Sequence, residues 1–258
     1  MLKIKNRKLG NNSKAFLIAE IGINHNGDLN NAFDLIDAAV DAKCDAVKFQ
    51  TFDVETMVHE SAQLADYQKK FSKTNQKKML SKYQLSYQEF FKIRNYCNKK
   101  KIIFLSTPFD IKSANFLNKI VSAFKISSGD NDNYILLEHI KKFNKPIFLS
   151  LGMASKHEIK RILKDININK SKLAIMHCIS EYPTELKNSQ IGVINELKKY
   201  GYLVGFSDHT IGIEASLGAI CLGAKIIEKH ITLDNSMKGP DHRASLNVKD
   251  LKNFVNKL

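Results

Sequence analysis

Residues 224–233 read AKIIEKHITL and form the last of eight short apolar runs in a chain of 258 residues. Isoleucine and leucine favour buried strands, although this run also carries three ionisable groups. Segments with apolar residues spaced near the helical period separate the runs, as in LNNAFDLIDAAVDAKC (29–44). Alternating strands and helices of this number predict a TIM (β/α)8 barrel that forms a single α/β domain over residues 1–258. The other seven predicted strands are FLIAEIG (16–22), AVKFQTF (46–52), IIFLSTPF (102–109), AFKISSGD (123–130), PIFLSLGM (146–153), LAIMHCIS (173–180) and LVGFSDHT (203–210).

One interval is too long and too polar for a simple connection. Residues 53–85 follow the second predicted strand, and we interpret them as an inserted loop that contains a short helix. Loops on that side of a barrel border the active site. The segment VKDLKNFVNKL (248–258) predicts a final helix after the eighth strand.

The composition restricts the partners and the compartment. The net charge is +14, but lysines are spread over nearly every predicted helix and arginine is scarce, so we expect no nucleic-acid partner and only a general attraction for anionic small molecules. No apolar run approaches the roughly 20 residues of a membrane span, and no apolar run follows the basic N-terminal residues as in a secretory signal. We therefore expect a cytoplasmic protein with reduced thiols and no membrane partner.

Polar residues fall repeatedly at the carboxyl ends of the predicted strands. A TIM barrel builds its active site at this end, from the last residues of several strands and the loops that follow them. A random scatter of polar groups would not choose the same end in every strand. The residues concerned are Glu20, Lys48, Gln50, Ser106, Thr107, Lys125, Ser127, Ser128, Ser150, His177, Ser180, Ser207, Asp208, His209, Glu228 and His230.

Two lysines, Lys48 and Lys125, are predicted to project into the mouth of the barrel. A buried ammonium group is costly unless it is paired or discharged. Glu20 and Glu228 provide one explanation, since they would neutralise the lysines as internal salt bridges. With several hydroxyl groups at the same mouth, a bound phosphate or carboxylate is the stronger interpretation, because hydroxyl and ammonium groups are what phosphate oxygens need.

His209 and His230 lie at the ends of neighbouring predicted strands, where each could be either a structural core residue or a metal ligand. A single strand histidine is usually a hydrogen-bonded core residue, but two at one mouth can reach the same cation, and imidazole suits several divalent ions. Fewer than three protein ligands would leave coordination positions open, as a catalytic ion requires. His177 is a third candidate, although a stacking or structural role fits it equally well.

Strand alternation divides the opening stretch between two faces. Ile226, Glu228 and His230 are predicted to line the barrel, with Glu228 one layer below His230. Lys229 is predicted to point outward, where its stem would lie along the helix layer and its head would reach water.

Several long motifs resemble one protein family. They are IAEIGINHNGDLNNAFDLIDAAVDAKCDAVKFQTF, FLSTPFD, FKISSGDNDNY, IFLSLGM, HCISEYPT, GFSDHT and GAKIIEKHITLDNSMKGPDHRASL. From about residue 14 onward the chain resembles the catalytic barrel of sialic acid synthases, which include N-acetylneuraminate synthases and their legionaminic and pseudaminic acid relatives. The resemblance implies condensation of phosphoenolpyruvate with an open-chain N-acetylated sugar, release of phosphate, and a divalent metal, most commonly manganese, with magnesium or cobalt as alternatives.

The resemblance also implies roles for individual residues. Glu20 would lie near the reacting carbons, and with Lys48, Lys125 and His209 it forms the expected catalytic set. His209 and His230 would bind the metal, whereas Tyr182 and Asp241 would face the sugar. The residues expected around phosphoenolpyruvate are Lys48, Gln50, Thr107, Lys125, Ser128, Ser150, Ser180 and Ser207.

The chain departs from the family pattern in a few places. Leu151, Asp130 and Ile179 with Ser180 replace residues that are common in the family motifs. Family members usually continue into a small antifreeze-like (SAF) domain that supplies an arginine to the sugar site of a partner subunit, and we expect this chain to lack that domain. A homodimer is therefore a weaker expectation than for a full-length relative.

Two alternatives remain for the function. Another phosphoenolpyruvate-dependent synthase of 3-deoxy-keto acids would share the lysines and the metal but would take a phosphorylated sugar. A non-catalytic barrel that binds polyanions or a partner enzyme would account for the net charge without any reaction.

Overall fold

The structure is a computed structural model that describes residues 1–64, 69 and 73–258. Eight strands pair in parallel in the order β5-β4-β3-β10-β9-β8-β7-β6, and β5 and β6 approach each other within 8 Å between Cα atoms. This is the predicted TIM barrel. The barrel strands are β3 (Phe16–Gly22), β4 (Ala46–Thr51), β5 (Ile103–Pro108), β6 (Phe124–Ile126), β7 (Ile147–Ser150), β8 (Leu173–Cys178), β9 (Leu203–Asp208) and β10 (Ile226–His230).

Helices cover the outside of the barrel and begin where the sequence supplies capping residues. Ser86 with Glu89 and Ser155 with Glu158 form reciprocal capping boxes at the starts of two of them. None of the helices in the described part of the chain is long and apolar enough to cross a membrane. The helices are α1 (Leu29–Asp41), α2 (Val54–Met57), α3 (Gln76–Ser81), α4 (Tyr87–Lys100), α5 (Ile111–Asn118), α6 (Tyr134–Lys141), α7 (Lys156–Ile166), α8 (Val193–Lys198), α9 (Glu214–Cys221) and α10 (Val248–Asn256).

An antiparallel hairpin precedes the barrel and was not expected from the sequence. Its strands are β1 (Leu2–Ile4) and β2 (Arg7–Leu9). Leu2, Ile4 and Leu9 are buried in one apolar cluster with inward residues of the barrel strands, including Phe16 at the start of β3. The hairpin therefore closes the amino-terminal end of the barrel and leaves the carboxyl end as the open mouth.

In its described residues, the predicted insertion after the second barrel strand has two short helices, α2 and α3, where one short helix was expected. Residues 65–68 and 70–72 of the predicted insertion lie outside the described residues. Around them, buried apolar side chains of the insertion form a small cluster that includes Ile23 and Phe52. The insertion thus packs on loops at the mouth of the barrel, as predicted.

Candidate active site

A small pocket of about 50 Å³ opens at the carboxyl ends of the barrel strands. Every predicted site residue except Ser180 and Asp241 lines it. The lining residues are Glu20, Lys48, Gln50, Thr107, Phe109, Lys125, Ser127, Ser128, Ser150, Cys178, Tyr182, Ser207, His209, Glu228 and His230.

The two remaining predicted residues, Ser180 and Asp241, lie next to residues that line the pocket. Ser180 is exposed at the rim, and its hydroxyl group lies 2.7 Å from that of Ser128. Asp241 is buried, and its Oδ2 lies 4.0 Å from Nδ1 of His230. Burial raises the pKa of Asp241 to about 7.

Three lining residues had no predicted role in the site, namely Phe109, Ser127 and Cys178, and only Ser127 had been noted as a strand-end polar residue. Strand alternation contained the signal for each, because they lie two residues from Thr107, Lys125 and Ser180 and so share their faces. Phe109 and Cys178 were passed over because the sequence search considered only polar residues. Glu228, which had been expected to support its neighbours, also lines the pocket directly.

Lys48 lies at the centre of a buried ion cluster. Strand register places Glu20 beside both Lys48 and His230 on adjacent strands. The Lys48 Nζ donates to Glu20 Oε1 at 2.9 Å and to the Thr107 hydroxyl at 2.9 Å. Lys48 is 3% exposed and Glu20 1%, so this salt bridge is shielded from water.

Lys125 approaches the same cluster from the other side of the barrel. Its Nζ donates to the Ser150 hydroxyl at 2.8 Å and to the Ile126 carbonyl at 3.1 Å. Glu228 Oε1 lies 3.7 Å from this ammonium and accepts a hydrogen bond from Ser207 at 2.7 Å. The internal salt bridges considered from the sequence are therefore present, but each lysine also contacts hydroxyl groups that face the pocket.

The two carboxyl groups have opposite tendencies to ionise. Burial raises the pKa of Glu20 to about 7, although the ammonium of Lys48 opposes this effect. Burial acts in the same direction on Glu228, but Lys125 and Lys48 outweigh it and lower its pKa to about 2. Glu228 therefore remains a carboxylate, whereas Glu20 is the group that exchanges a proton near neutral pH.

The proton on Glu20 predicts a pH dependence of stability. Its pKa rises from an ordinary 4.5 to about 7 on folding, so its contribution to stability is complete below about pH 4.5 and is lost as the pH rises to about 7. We expect the Glu20→Gln variant to lose less unfolding free energy than the wild type between about pH 5 and pH 8, by on the order of 2–3 kcal/mol. Urea denaturation at both pH values measures this difference, with Glu138→Gln as an exposed control. Parallel pH profiles for the wild type and Glu20→Gln would contradict the assignment.

Two neutral imidazoles stand beside the ion cluster. The Nδ1 of His209 lies 2.6 Å from the Ile179 carbonyl, which can only accept, so Nδ1 carries the proton and Nε2 holds the lone pair. The Tyr182 hydroxyl lies 2.7 Å from that Nε2 and donates to it. Burial lowers the pKa of His209 to about 4 and that of His230 well below its ordinary value.

The histidine pair fits a divalent cation. Its two rings lie 5.7 Å apart between centroids, and His230 Nδ1 is buried without a hydrogen-bond partner. Orientation of His209 by a backbone carbonyl is the usual outer-shell arrangement for a metal-binding imidazole. Among the residues that the structure describes, no three histidine, cysteine or acidic side chains are grouped as a complete metal site, so any cation here would take further ligands from water or substrate.

His177 does not join this pair. Its ring stacks on Phe206 with centroids 5.4 Å apart, and its Nε2 lies 2.8 Å from the Ser189 carbonyl. Of the two roles considered for it, the stacking and structural one is therefore the role that its contacts match.

The prediction for Lys229 was wrong. The residue points outward from the barrel as alternation required, but it is only 3% exposed and its head does not reach water. Its Nζ lies 3.0 Å from Asp208 Oδ2 on the neighbouring strand. Helix α9 lies over the pair, since its Ser216 hydroxyl donates to Asp208, and this buried carboxylate meets the ammonium where water was expected.

The departures from the family motifs lie around the pocket without entering it. Leu151 packs in the core between strands and helices. Asp130 accepts a hydrogen bond from Ser127 at 2.7 Å, and Ile179 contributes its carbonyl to His209. Gly152 has no side chain that could clash with Ser180 at the rim, whereas a Cβ there would lie 2.8 Å from the Ser180 hydroxyl.

The fold and the site together define a TIM barrel protein whose mouth can hold an anion on two ammonium groups beside a pair of neutral imidazoles. A model of the NeuB family matches residues 35–258, and the chain belongs to that family.

Known relatives agree with this assignment. The chain is 43% identical over 246 residues to the N,N'-diacetyllegionaminic acid synthase of Campylobacter jejuni, which covers 93% of this chain and 74% of that protein. It is 38% identical over 260 residues to the uncharacterized protein MJ1065 of Methanocaldococcus jannaschii, covering 100% of this chain and 74% of the relative. The N-acetylneuraminic acid synthetase of Leptospira borgpetersenii, solved with citrate, superposes with a TM-score of 0.88 at 36% identity, over 99% of this chain and 86% of that one.

Proposed function

We propose that this chain condenses phosphoenolpyruvate with an open-chain N-acetylated sugar such as N-acetylmannosamine. Water is the third reactant, and the products are a nine-carbon 2-keto-3-deoxy sugar acid and phosphate. The observation that carries the proposal is the meeting of two buried ammonium groups and two buried neutral imidazoles at one barrel mouth. The names of the synthases in the family support the class of substrate.

Lys48 and Lys125 bind the phosphate and carboxylate of phosphoenolpyruvate in this proposal. Ammonium groups held in a site with little water interact strongly with anions, and their hydroxyl partners Thr107 and Ser150 are close enough to share the ligand. Gln50 and the Ser128–Ser180 pair provide further donors around the pocket, and Ser207 lines it while donating to Glu228. The ionised Glu228 favours the charged form of both lysines before the anion arrives, although burial lowers the pKa of Lys125.

The reaction forms one carbon–carbon bond and one carbon–oxygen bond, the latter from water, and breaks the carbon–oxygen bond to phosphate. Carbon 3 of phosphoenolpyruvate attacks the aldehyde carbon of the sugar, and the aldehyde oxygen takes up a proton. Water adds to the cationic carbon 2 and loses a proton, and the tetrahedral product releases phosphate to leave the ketone. Glu20 would carry one of these protons, a role that its pKa of about 7 supports because the group can then exist in both forms.

The sugar is bound on the imidazole side of the pocket. Tyr182, which packs on His209 with ring centroids 3.9 Å apart, and Asp241 are the proposed sugar contacts. His209 and His230 would hold the divalent cation, for which manganese is proposed, with magnesium or cobalt as alternatives. When bound, this ion would act as a Lewis acid on the aldehyde oxygen.

Phosphate release from the purified chain tests the proposal. The chain is incubated with phosphoenolpyruvate, manganese and a panel of N-acetylated hexoses, and we expect release only when phosphoenolpyruvate and one of these sugars are both present. Release with phosphorylated sugars alone would identify the other class of 3-deoxy-keto acid synthase. No release with any sugar, together with retention on heparin, would favour a non-catalytic barrel.

A further inference from the structure

A buried ion pair lies directly behind the two imidazoles, on the outer face of the barrel wall. Lys229 and Asp208 are register partners on β10 and β9, just as Glu228 and Ser207 are register partners on the inner face. Lys229 is 3% exposed and Asp208 1%. Each residue of the pair immediately precedes one histidine of the site, because His230 follows Lys229 and His209 follows Asp208.

The pair holds the backbone of Thr210, the residue that follows His209. Asp208 Oδ1 accepts from the backbone N–H and from the hydroxyl of Thr210, each at 2.8 Å. The Lys229 ammonium donates to the carbonyl of the same Thr210. On the far side, Asp208 Oδ2 accepts from the Ser216 hydroxyl of α9 at 2.5 Å. The two residues that flank His209 are thus fixed by one network.

Stability alone does not account for this arrangement. A buried ion pair is often no more stabilising than well-packed apolar residues of similar volume, because both charges must lose their water. An apolar pair would fill the same space between β10 and α9, but it could not hold the polar backbone of Thr210. What the charges add here is a fixed position for the backbone of Thr210, next to His209.

We propose that Lys229 and Asp208 are a positioning pair that sets the orientation of His209, so that its Nδ1–H meets the Ile179 carbonyl and its Nε2 faces the pocket. For catalysis the inference rests on the proposed function, in which Nε2 is a metal ligand once the Tyr182 hydroxyl that now donates to it has moved away. The orientation itself is a property of the metal-free chain and does not depend on any reaction.

The test compares four variants of the full chain. Lys229→Met removes the donor to Thr210, and Asp208→Asn keeps an acceptor oxygen but removes the charge. Lys145→Met and Asp45→Asn are matched controls away from the mouth: Lys145 also donates to loop carbonyls, those of Asn118 and Val121, and Asp45 also accepts a backbone N–H, that of Leu17. Long-range ¹H–¹⁵N spectra of ¹⁵N-histidine protein, without metal, report which ring nitrogen of His209 is protonated, and the His209→Gln spectrum assigns the signal.

We expect the wild type and both controls to show His209 protonated at Nδ1. In Lys229→Met we expect His209 to be no longer protonated at Nδ1 alone, and in Asp208→Asn we expect a smaller change in its protonated nitrogen. Mn²⁺ affinity measured by electron paramagnetic resonance should fall roughly 10-fold or more in Lys229→Met. An unchanged His209 pattern in folded variants would overturn the inference. So would failure of Lys229→Met and Asp208→Asn to fold when both controls fold, since the pair would then serve the fold. A wild type that binds no Mn²⁺ and releases no phosphate would instead refute the proposed function, while the histidine spectra still decide the positioning role.

Discussion

Replacement of Lys125 by alanine is expected to weaken phosphoenolpyruvate binding on the order of 100-fold, or about 3 kcal/mol. The change removes one of the two ammonium groups at the mouth and leaves the Glu228 carboxylate with only Lys48, whose Nζ lies 3.9 Å away. The pocket would then carry net negative charge when Glu20 is ionised. The carboxylates would then repel an anionic ligand at the position where the wild type has the Lys125 ammonium and the Ser150 hydroxyl.

Isothermal titration calorimetry with phosphoenolpyruvate measures this loss. Lys145→Ala is the matched control, since that lysine is partly buried and donates to backbone carbonyls far from the mouth. Thermal unfolding of both variants separates loss of binding from loss of fold. Wild-type affinity in a folded Lys125→Ala variant would remove this lysine from the proposed anion site.

Replacement of either His209 or His230 by alanine is expected to reduce phosphate release to background and to abolish tight Mn²⁺ binding. The proposed cation has only these two imidazoles as fixed protein ligands, so the loss of one leaves too few to retain it. Phosphate release and electron paramagnetic resonance of free Mn²⁺ provide the two measurements. His177→Ala is the control, because that ring stacks on Phe206 and bonds to a backbone carbonyl outside the pocket.

Chelation provides an independent check on the same prediction. Excess EDTA should stop phosphate release in the wild type, and added Mn²⁺ should restore it. Undiminished release in EDTA, or Mn²⁺ binding that survives in both alanine variants, would show that the imidazoles serve a purpose other than metal binding.

Much of the barrel and its mouth could be predicted from local patterns. The eight apolar runs are separated by helical spacing, so both the number and the parallel direction of the strands follow from the chain itself. Alternation within each strand then decides which side chains face inward, which placed Lys48, Lys125, His209 and His230 in one pocket.

The errors arose where tertiary contacts decide the environment. The hairpin of residues 2–9 is too short for a periodic signal, and its role depends on an opening that exists only in the assembled barrel. Lys229 points outward as alternation predicts, but α9 covers it and Asp208 meets it there. The role predicted for Asp241 stays a prediction: it follows His230 closely in the sequence, and the fold places its carboxylate 4.0 Å from the His230 ring without lining the pocket.

The central claim is that carbon 3 of phosphoenolpyruvate is joined to the sugar aldehyde and that water supplies the new ketone oxygen. Mass spectrometry of the products after incubation with phosphoenolpyruvate, Mn²⁺ and N-acetylmannosamine in ¹⁸O-labelled water tests it most directly. We expect a new acid with the mass of the sugar plus phosphoenolpyruvate and water minus phosphate, and with one ¹⁸O in the ketone when it is trapped promptly by reduction. Phosphate release that yields pyruvate and unchanged sugar, across the full panel of N-acetylated hexoses, would contradict it.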